Sequence, residues 1–276
     1  MITKCVFPAA GLGTRFLPVT KSIPKEMLPI VSRPIIEYGV QEALDAKINH
    51  MVIVTNEKKQ SIKDFFTENK EFDGFVLKSN KHKNLETLKD IISKSSFSYI
   101  NQNKMLGLGH AISLTQELVK KESFAVILPD DVCHNKSKNV IEQLTEIHNN
   151  FPDKCIVAIE EVPDNEISKY GIVEIGKEID ENIFSIRSMV EKPELAAAPS
   201  NLAIIGRYIL TPDIFKAISN LSADRNGEIQ ITHALNTLAK FDKVIGYKYQ
   251  GKRLDCGYPD GFLEANIFFR NLDKYS

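Results

Sequence analysis

The chain begins with a short apolar run that leads directly into a glycine-rich turn. We predict a buried strand at residues 5–7, which Pro8 ends because proline cannot donate a hydrogen bond to a sheet ladder. The small residues that follow allow several backbone N–H groups to point into one concavity suited to an anion. Arg15 then offers a planar fork of donors that suits phosphate oxygens. The turn residues predicted to hold the anion are Ala9, Ala10, Gly11, Gly13 and Thr14.

Two common phosphate-binding loops do not fit this segment. A dinucleotide-binding fingerprint needs a third glycine where Phe16 stands, and a helix that Pro18 disfavours. A Walker loop needs a glycine directly before Lys21-Ser22, and Thr20 occupies that position. If only the loop residues are considered, the alternative to an anion site is an ordinary glycine-rich turn after a strand.

A second segment, PKEMLP, extends the pattern. Lys25 and Glu26 lie between two prolines, so this segment is predicted to be extended, stiff and close to the same loop. Together with FPAAGLGTRFLP it resembles the signature of the sugar-1-phosphate nucleotidyltransferases. Members that transfer thymidylyl or adenylyl groups usually have paired glycines where this chain has Ala9 and Ala10, so the resemblance favours the members that transfer uridylyl groups.

The resemblance implies a reaction and its ligands. It implies Mg²⁺-dependent, direct in-line transfer of a uridylyl group from UTP to glucose 1-phosphate, which gives UDP-glucose and pyrophosphate. Arg15 and Lys25 are the implied catalytic residues, and Glu26 joins the turn in binding the nucleotide. The alternatives are a thymidylyl- or cytidylyltransferase on the same scaffold and a nucleotide-sugar sensor without turnover. A dinucleotide oxidoreductase is a more distant alternative.

Composition and charge restrict the partners of this 276-residue chain. It has 35 Lys and Arg against 36 Asp and Glu, so its net charge does not favour binding to nucleic acid or to an anionic membrane. Without a leader-like or membrane-length apolar stretch, the expected location is the cytoplasm. The four cysteines are far apart, which predicts reduced, mostly buried thiols, and the six histidines lack metal-ligand spacing. The lysine-rich stretch 58–94 is interleaved with acids and predicts a solvated pair of helices.

Apolar runs alternate with helical patterns in the first half of the chain. This order predicts an α/β fold with a Rossmann-like, mixed and mainly parallel sheet that has helices on both faces. Ligands of such sheets bind beyond the carboxyl ends of the strands, where the glycine-rich turn and Asp130-Asp131 both fall. The predicted strands are 51–55, 98–100 and 124–128, and the predicted helices are 34–44, 57–69 and 111–120.

The order of predicted elements changes beyond about residue 155, where strands follow one another across short turns. No Gly/Ser-rich linker precedes them, so we predict one nucleotidyltransferase domain over 1–276. It comprises a nucleotide-binding half at 1–154, an integrated sugar-binding half at 155–258 and a C-terminal helix at 259–276. The predicted strands are 155–161, 171–175, 183–191 and 202–210, and the predicted helices are 213–219 and 230–240.

Paired carboxylates follow the strand at 124–128. Asp130 and Asp131 repel each other unless a cation or hydrogen bonds compensate, and such a pair alone is often a helix cap or turn. The resemblance implies that Asp130 and Asp255 hold Mg²⁺, which needs few protein carboxylates beside phosphate and water ligands. It assigns Asp131 to the sugar-phosphate side of the site.

A polar side chain, Gln102, precedes the glycine-rich segment that starts at Gly107 and leads into the predicted helix. The resemblance implies that Gln102 recognises the base and that the backbone of Gly107 lies against it; the alternative is an ordinary loop amide. Because a side-chain amide can flip, we expect a fixed backbone donor to be needed to exclude cytosine. The N–H groups of Gly107 and Ala10 are the candidates.

The resemblance places the sugar phosphate in the second half of the chain. It implies that Glu191 binds sugar hydroxyls and Lys192 the sugar phosphate, and that Gly171 and Ile205 lie on sugar-lining strands. A Glu-Lys pair at a strand end is otherwise usually a surface salt bridge of little energetic weight.

The last predicted helix carries many apolar side chains. We expect Phe262, Leu263, Ile267, Phe268 and Phe269 to lie on one buried side of a helix at 259–272. Core packing explains this pattern, but the resemblance favours a subunit interface in a homodimer or homotetramer.

Overall fold

The computed structural model describes residues 1–76 and 83–275. Residues 77–82, which lie inside the lysine-rich stretch 58–94, are outside the described residues. So is residue 276, the last position of the predicted C-terminal helix. None of the described helices is both long and apolar enough to cross a membrane.

The strands and helices alternate along the chain. The strands are β1 Lys4–Pro8, β2 Pro29–Ile30, β3 Arg33–Pro34, β4 His50–Thr55, β5 Ser96–Asn101, β6 Phe124–Ile127, β7 Asp131–His134, β8 Cys155–Glu161, β9 Gly171–Asp180, β10 Ile183–Glu191, β11 Leu202–Leu210, β12 Val244–Lys248 and β13 Lys252–Asp255. The α-helices are α1 Ile35–Asp45, α2 Gln60–Phe65, α3 Lys70–Val76, α4 Lys83–Lys94, α5 Gly107–Ser113, α6 Gln116–Val119, α7 Val140–Asn150, α8 Asp213–Ser219, α9 Ile231–Ala239 and α10 Pro259–Tyr275.

One mixed sheet organises the described residues. Its nine strands have the order β5-β4-β1-β6-β11-β8-β12-β10-β9, which confirms the predicted mixed α/β fold. Pairing is parallel from β5 to β6 and between β8 and β12. The strand β11 is antiparallel to both neighbours, and β10 is antiparallel to β9 and β12. Parallel pairing therefore dominates only the first half, where helical crossovers return the chain; the tight turn between β9 and β10 enforces antiparallel pairing.

The strand β1 shows how this sheet separates two cores. Cys5 and Phe7 point to the face covered by α1, α2, α4 and α7, while Val6 points to the face covered by α5, α8 and α9. Burying a side chain such as Phe7 stabilises the fold by about 1.5–3 kcal/mol. The prediction of helices on both faces is confirmed. The cysteines are free thiols, buried at three positions and half-buried at Cys133, as predicted.

Three predicted segments differ from the structure. The helix predicted at 57–69 is a 3₁₀ turn followed by the short α2, and α3 begins only at Lys70. The helix predicted at 111–120 begins earlier, at Gly107, and is divided into α5 and α6. The segment around Lys25, predicted to be extended, contains a 3₁₀ turn at Lys25–Met27. A proline restricts only its own φ and the residue before it, so Lys25, Glu26 and Met27 are free to turn.

Six elements were not predicted, namely the helix α7 and the short strands β2, β3, β7, β12 and β13. The helix α7 has a local signal, because Asn139 and Glu142 form a capping box at its start. The strands β7 and β13 are four residues long and pair with each other, with Asp131 opposite Asp255. Short strands that pair across a long stretch of chain carry almost no local signal.

The C-terminal helix corrects a prediction. Phe262, Phe268 and Phe269 pack against a small core, but Leu263 is 60% exposed and Ile267 is 55% exposed. The expectation that all five apolar residues share one buried side is therefore wrong. Leu263 and Ile267 are four positions apart and lie together on a different face of the helix from Phe262 and Phe269.

Candidate active site

A cavity of about 410 Å³ opens at the carboxyl ends of β1, β5 and β6 and extends to the second half of the sheet. This volume is in the usual range for small-ligand sites. Most residues singled out in the sequence line it. They are Ala10, Gly11, Arg15, Lys25, Glu26, Gln102, Gly107, Asp130, Asp131, Gly171, Glu191, Lys192 and Asp255.

Four of the predicted site residues are not on the cavity wall. Ala9 is fully buried behind it, and Gly13 and Thr14 lie further along the loop. Ile205 packs into the core on the opposite face of the sheet, whereas Ile204 lines the cavity. The assignment of Ile205 is thus one residue out, because successive side chains of a strand point to opposite faces.

The glycine-rich loop presents unpaired backbone donors. The N–H groups of residues 10–13 donate no hydrogen bond to any other described residue. Gly13 has φ +65°, and a Cβ there would lie 3.1 Å from Thr20 and 3.2 Å from Lys25, so this turn requires glycine. The loop is therefore able to offer several N–H groups to one anion.

A buried ion pair anchors the loop from behind. Lys59 Nζ donates to Ala9 O at 2.7 Å and to Glu26 Oε2 at 2.7 Å, and Glu26 is only 1% exposed. Burial raises the pKa of Glu26 and lowers the pKa of Lys59, while their mutual attraction opposes both shifts. Asn56 Nδ2 adds a hydrogen bond of 2.7 Å to Ala10 O. Neither Lys59 nor Asn56 was predicted, since nothing in their local sequence indicates contact with the loop.

A cation and a carboxylate meet at the base of the cavity. Lys25 Nζ donates to Asp130 Oδ2 at 2.5 Å, and both side chains are partly buried. Burial opposes both charges, but attraction outweighs it. The pKa of Lys25 is therefore raised and the pKa of Asp130 lowered. Arg15 stands near this pair, with its guanidinium carbon 4.0 Å from the ring centre of Tyr258.

Asp130 and Asp255 face one small gap. A Cβ on Gly257 would lie 3.0 Å from Asp255 Oδ1 and 3.1 Å from Asp130 Oδ2. The pairing of β13 with β7 carries Asp255 to this point, and Tyr170 Oη donates to Asp255 Oδ2 at 2.8 Å. No group of three or more His, Cys, Asp or Glu side chains among the described residues forms a metal cluster. Two carboxylates suit a hard cation that takes its remaining ligands from phosphate and water.

Asp131 is held mainly by the protein. Its Oδ2 accepts from the Gly206 N–H at 2.8 Å, and its Oδ1 lies 3.6 Å from Arg253. Burial raises the pKa of Asp131 to about 6, with Asp255 and Asp130 adding to the effect and Arg253 opposing it. These contacts give Asp131 a role in joining β7 to β11 in addition to its place on the cavity wall.

Gln102 is buried at the opposite wall of the cavity, where its amide nitrogen contacts two neighbouring residues. Its Nε2 donates to Gly107 O at 3.2 Å and lies 2.9 Å from His110 Nδ1. Gly107 has φ +86°, and a Cβ there would lie 3.0 Å from Ile229 O, so glycine is required at this helix start. The partnership with His110 was not predicted.

The far end of the cavity belongs to the second half of the chain. Thr232 Oγ1 donates to Glu191 Oε2 at 2.6 Å, and Lys192 Nζ lies 3.2 Å from Glu191 Oε1. A Cβ on Gly171 would lie 3.0 Å from Thr232 Oγ1 and 3.3 Å from Glu191 Oε2, so glycine leaves room beside the carboxylate. Lys169 and Tyr170 complete this end of the wall.

The cavity has unpaired N–H groups and cations at one end and a hydrogen-bonded carboxylate at the other. These are features with which an α/β protein can bind a phosphorylated ligand at the ends of its strands. The family model described as nucleotidyl transferase matches residues 4–271. The chain belongs to this nucleotidyl transferase family.

Known proteins match over nearly the whole length. UTP–glucose-1-phosphate uridylyltransferase of Pseudomonas aeruginosa is 48% identical over 99% of this chain and 98% of its own. The crystal structure of a UDP-glucose pyrophosphorylase complexed with UDP-glucose has a TM-score of 0.91 at 48% identity, covering 98% of this chain and 99% of the other. A UTP-bound UGPase from Acinetobacter baumannii has a TM-score of 0.88 at 37% identity, covering 98% and 93%.

Proposed function

We propose that this protein transfers a uridylyl group from UTP to glucose 1-phosphate, with UDP-glucose and pyrophosphate as products. The observation that carries the proposal is the single cavity that joins the donor-rich loop and Lys25–Asp130 to the Glu191 end. Similarity in sequence and fold to a uridylyltransferase and to a structure holding UDP-glucose supports the choice of substrates.

The chemistry follows from charge and alignment. An oxygen of the glucose 1-phosphate phosphate group attacks the α-phosphorus of UTP in line with the departing pyrophosphate, so one P–O bond forms as another breaks. Both reactants are anionic, so positioning and positive charge supply most of the catalysis. We assign Lys25 and Arg15 to the reacting phosphates and Lys192 to the sugar phosphate. The raised pKa of Lys25 keeps its ammonium charged at neutral pH.

The backbone donors and the second-half carboxylate orient the substrates. The free N–H groups of Ala10 and Gly11 suit the triphosphate, and Gln102 with Gly107 suits the base. Glu191 is the proposed acceptor for sugar hydroxyls, since its carboxylate lines the cavity with Oε2 beside Gly171 and Thr232. Asp131 accepts a hydrogen bond from Gly206 N–H and so holds together the wall of the cavity on the side proposed for the sugar phosphate.

Mg²⁺ fits the pair of carboxylates at Asp130 and Asp255. These residues would hold the ion beside Gly257, where both carboxylates face the same gap. When bound, the ion neutralises phosphate charge. The protein contributes the placement of the two carboxylates, which depends on the β7–β13 pairing and on Tyr170.

Pyrophosphate release with each nucleoside triphosphate and glucose 1-phosphate tests the proposal. We expect release with UTP, a requirement for Mg²⁺ and sequential kinetics, because no covalent enzyme intermediate is needed. Preference for dTTP or CTP would move the protein to another branch of the family. Binding of UDP-glucose without any turnover would make it a sensor, and a trapped uridylyl-enzyme would contradict direct displacement.

A further inference from the structure

The structure restricts Gln102 more tightly than a loop amide requires. An amide nitrogen carries two hydrogens. Gln102 Nε2 donates one to Gly107 O and lies 2.9 Å from His110 Nδ1, which accepts the other when the ring carries its proton on Nε2. No hydrogen bond from another described residue ends on Gln102 Oε1. Since Gln102 lines the cavity, Oε1 is the polar atom left for a ligand.

The contacts of Gln102 with Gly107 O and His110 Nδ1 disfavour a flip of its amide. Gly107 O can only accept, so an Oε1 turned towards it would set two acceptors against each other. His110 Nδ1 accepts when the ring is neutral and its proton is on Nε2. Burial, assisted by Lys104, lowers the pKa of His110, which favours a neutral ring, and the donation from Gln102 Nε2 to Gly107 O leaves Nδ1 facing an amide hydrogen. A flip would lose the hydrogen bond to Gly107 O and set two acceptors against each other there, even if the proton of His110 moved to Nδ1.

The orientation matters for the choice of pyrimidine. Uracil and thymine both carry an N3–H donor, whereas N3 of cytosine is an acceptor. An amide that offers only Oε1 can accept from uracil and thymine, but it opposes cytosine with a second acceptor. The expectation that only a backbone donor can exclude cytosine assumed a free flip, and the contacts of Gln102 disfavour that flip.

We infer that His110 is a specificity-determining positioning residue, which holds Gln102 Oε1 towards the base and thereby excludes cytosine nucleotides. This inference rests on the proposed uridylyl transfer. His110 acts through Gln102, so its loss should change the ratio of kcat/KM for UTP over CTP. It should not change the transfer step, which is common to all the nucleotides.

The test compares UTP, dTTP and CTP as substrates with glucose 1-phosphate. We expect the ratio of kcat/KM for UTP over CTP to fall about two- to tenfold in His110→Leu, as for the loss of one hydrogen bond. His110→Asn places an amide oxygen near the former Nδ1 position and should restore the ratio. The ratio of UTP over dTTP should stay constant in both variants, because the two bases present the same N3–H.

Each outcome has a distinct meaning. Equal losses with all three nucleotides in His110→Leu would show a purely structural role and overturn the inference. A wild-type enzyme that uses CTP as well as UTP would also overturn it. Absence of UTP turnover in the wild type would instead contradict the proposed function. Should His110→Leu fail to fold by circular dichroism, His110→Ala provides the same comparison.

Discussion

Lys25 and Asp130 are 105 positions apart in the chain, yet Lys25 Nζ lies 2.5 Å from Asp130 Oδ2 at the base of the cavity. The contact joins the loop after β1 to the end of β6, two neighbouring parallel strands. Each charge thereby holds the other in its ionised form despite burial. A pair of this kind offers a preorganised cation to a phosphate group and keeps the neighbouring carboxylate ionised.

Removal of the cation should reduce the rate more than it weakens binding. We expect Lys25→Ala to lower kcat about a hundredfold or more, since one preorganised charge at the transition state is lost. Steady-state kinetics with UTP and glucose 1-phosphate measure this. Lys21→Ala is the matched control, because Lys21 is exposed on the same loop and does not line the cavity. An unchanged kcat with a raised KM would make Lys25 a binding residue only.

The two proposed metal ligands should alter the response to the ion. Asp255→Asn and Asp130→Asn each replace one carboxylate beside Gly257, so more Mg²⁺ should be needed for half-maximal rate and the maximal rate should fall. Titration of activity against Mg²⁺ measures both effects. Asp153→Asn, on an exposed residue far from the cavity, serves as the control. If both titration curves match the wild type, the metal binds elsewhere.

Glu191 should govern the use of the sugar. Glu191→Ala removes a carboxylate acceptor, so kcat/KM for glucose 1-phosphate should fall about 10- to 100-fold, as for lost hydrogen bonds to a charged group. Binding of UTP alone, measured by calorimetry, should not change. Glu194→Ala is the control, because Glu194 is exposed and outside the cavity. A collapse of UTP affinity would show that the sugar pocket has been misplaced.

The buried pair behind the loop should matter for stability. Lys59→Ala leaves the Glu26 carboxylate buried and unpaired, so the free energy of unfolding should fall by about 3–5 kcal/mol. Urea unfolding followed by circular dichroism measures it. Lys58→Ala changes the exposed neighbour and should stay within about 0.5 kcal/mol of wild type. Equal effects of the two variants would mean that the pair contributes little.

Acid should destabilise the fold in part through His148. Burial lowers the pKa of this histidine below 6.5, although its contact with Lys154 O opposes the shift. The unfolded chain then takes up the proton first, so this stability is present above about pH 6.5 and is lost as the pH falls below it. Unfolding free energies measured from pH 7.5 to 5 should decline less steeply in His148→Gln. An identical slope would show that other groups account for the acid loss.

Elements with a strong local pattern were predictable from the sequence. The predicted bounds of β8, β10, β11 and α8 agree with the structure, because a continuous apolar run or a helical spacing is a property of neighbouring residues. The glycine-rich loop was predictable for the same reason, since Gly13 occupies a backbone conformation that other residues rarely adopt. The family signature in the first 29 residues indicated the nucleotidyltransferase fold.

Tertiary structure alone decided which distant side chains meet. The pairing of β13 with β7 brings Asp255 to the gap beside Asp130. The local sequence of neither strand predicts which strand it pairs with. Lys59 reaches Glu26, and His110 orients Gln102, through contacts that no local spacing encodes. Local sequence determines backbone preference and periodicity, but hydrogen-bond partners and exposed faces are set by how complete elements pack.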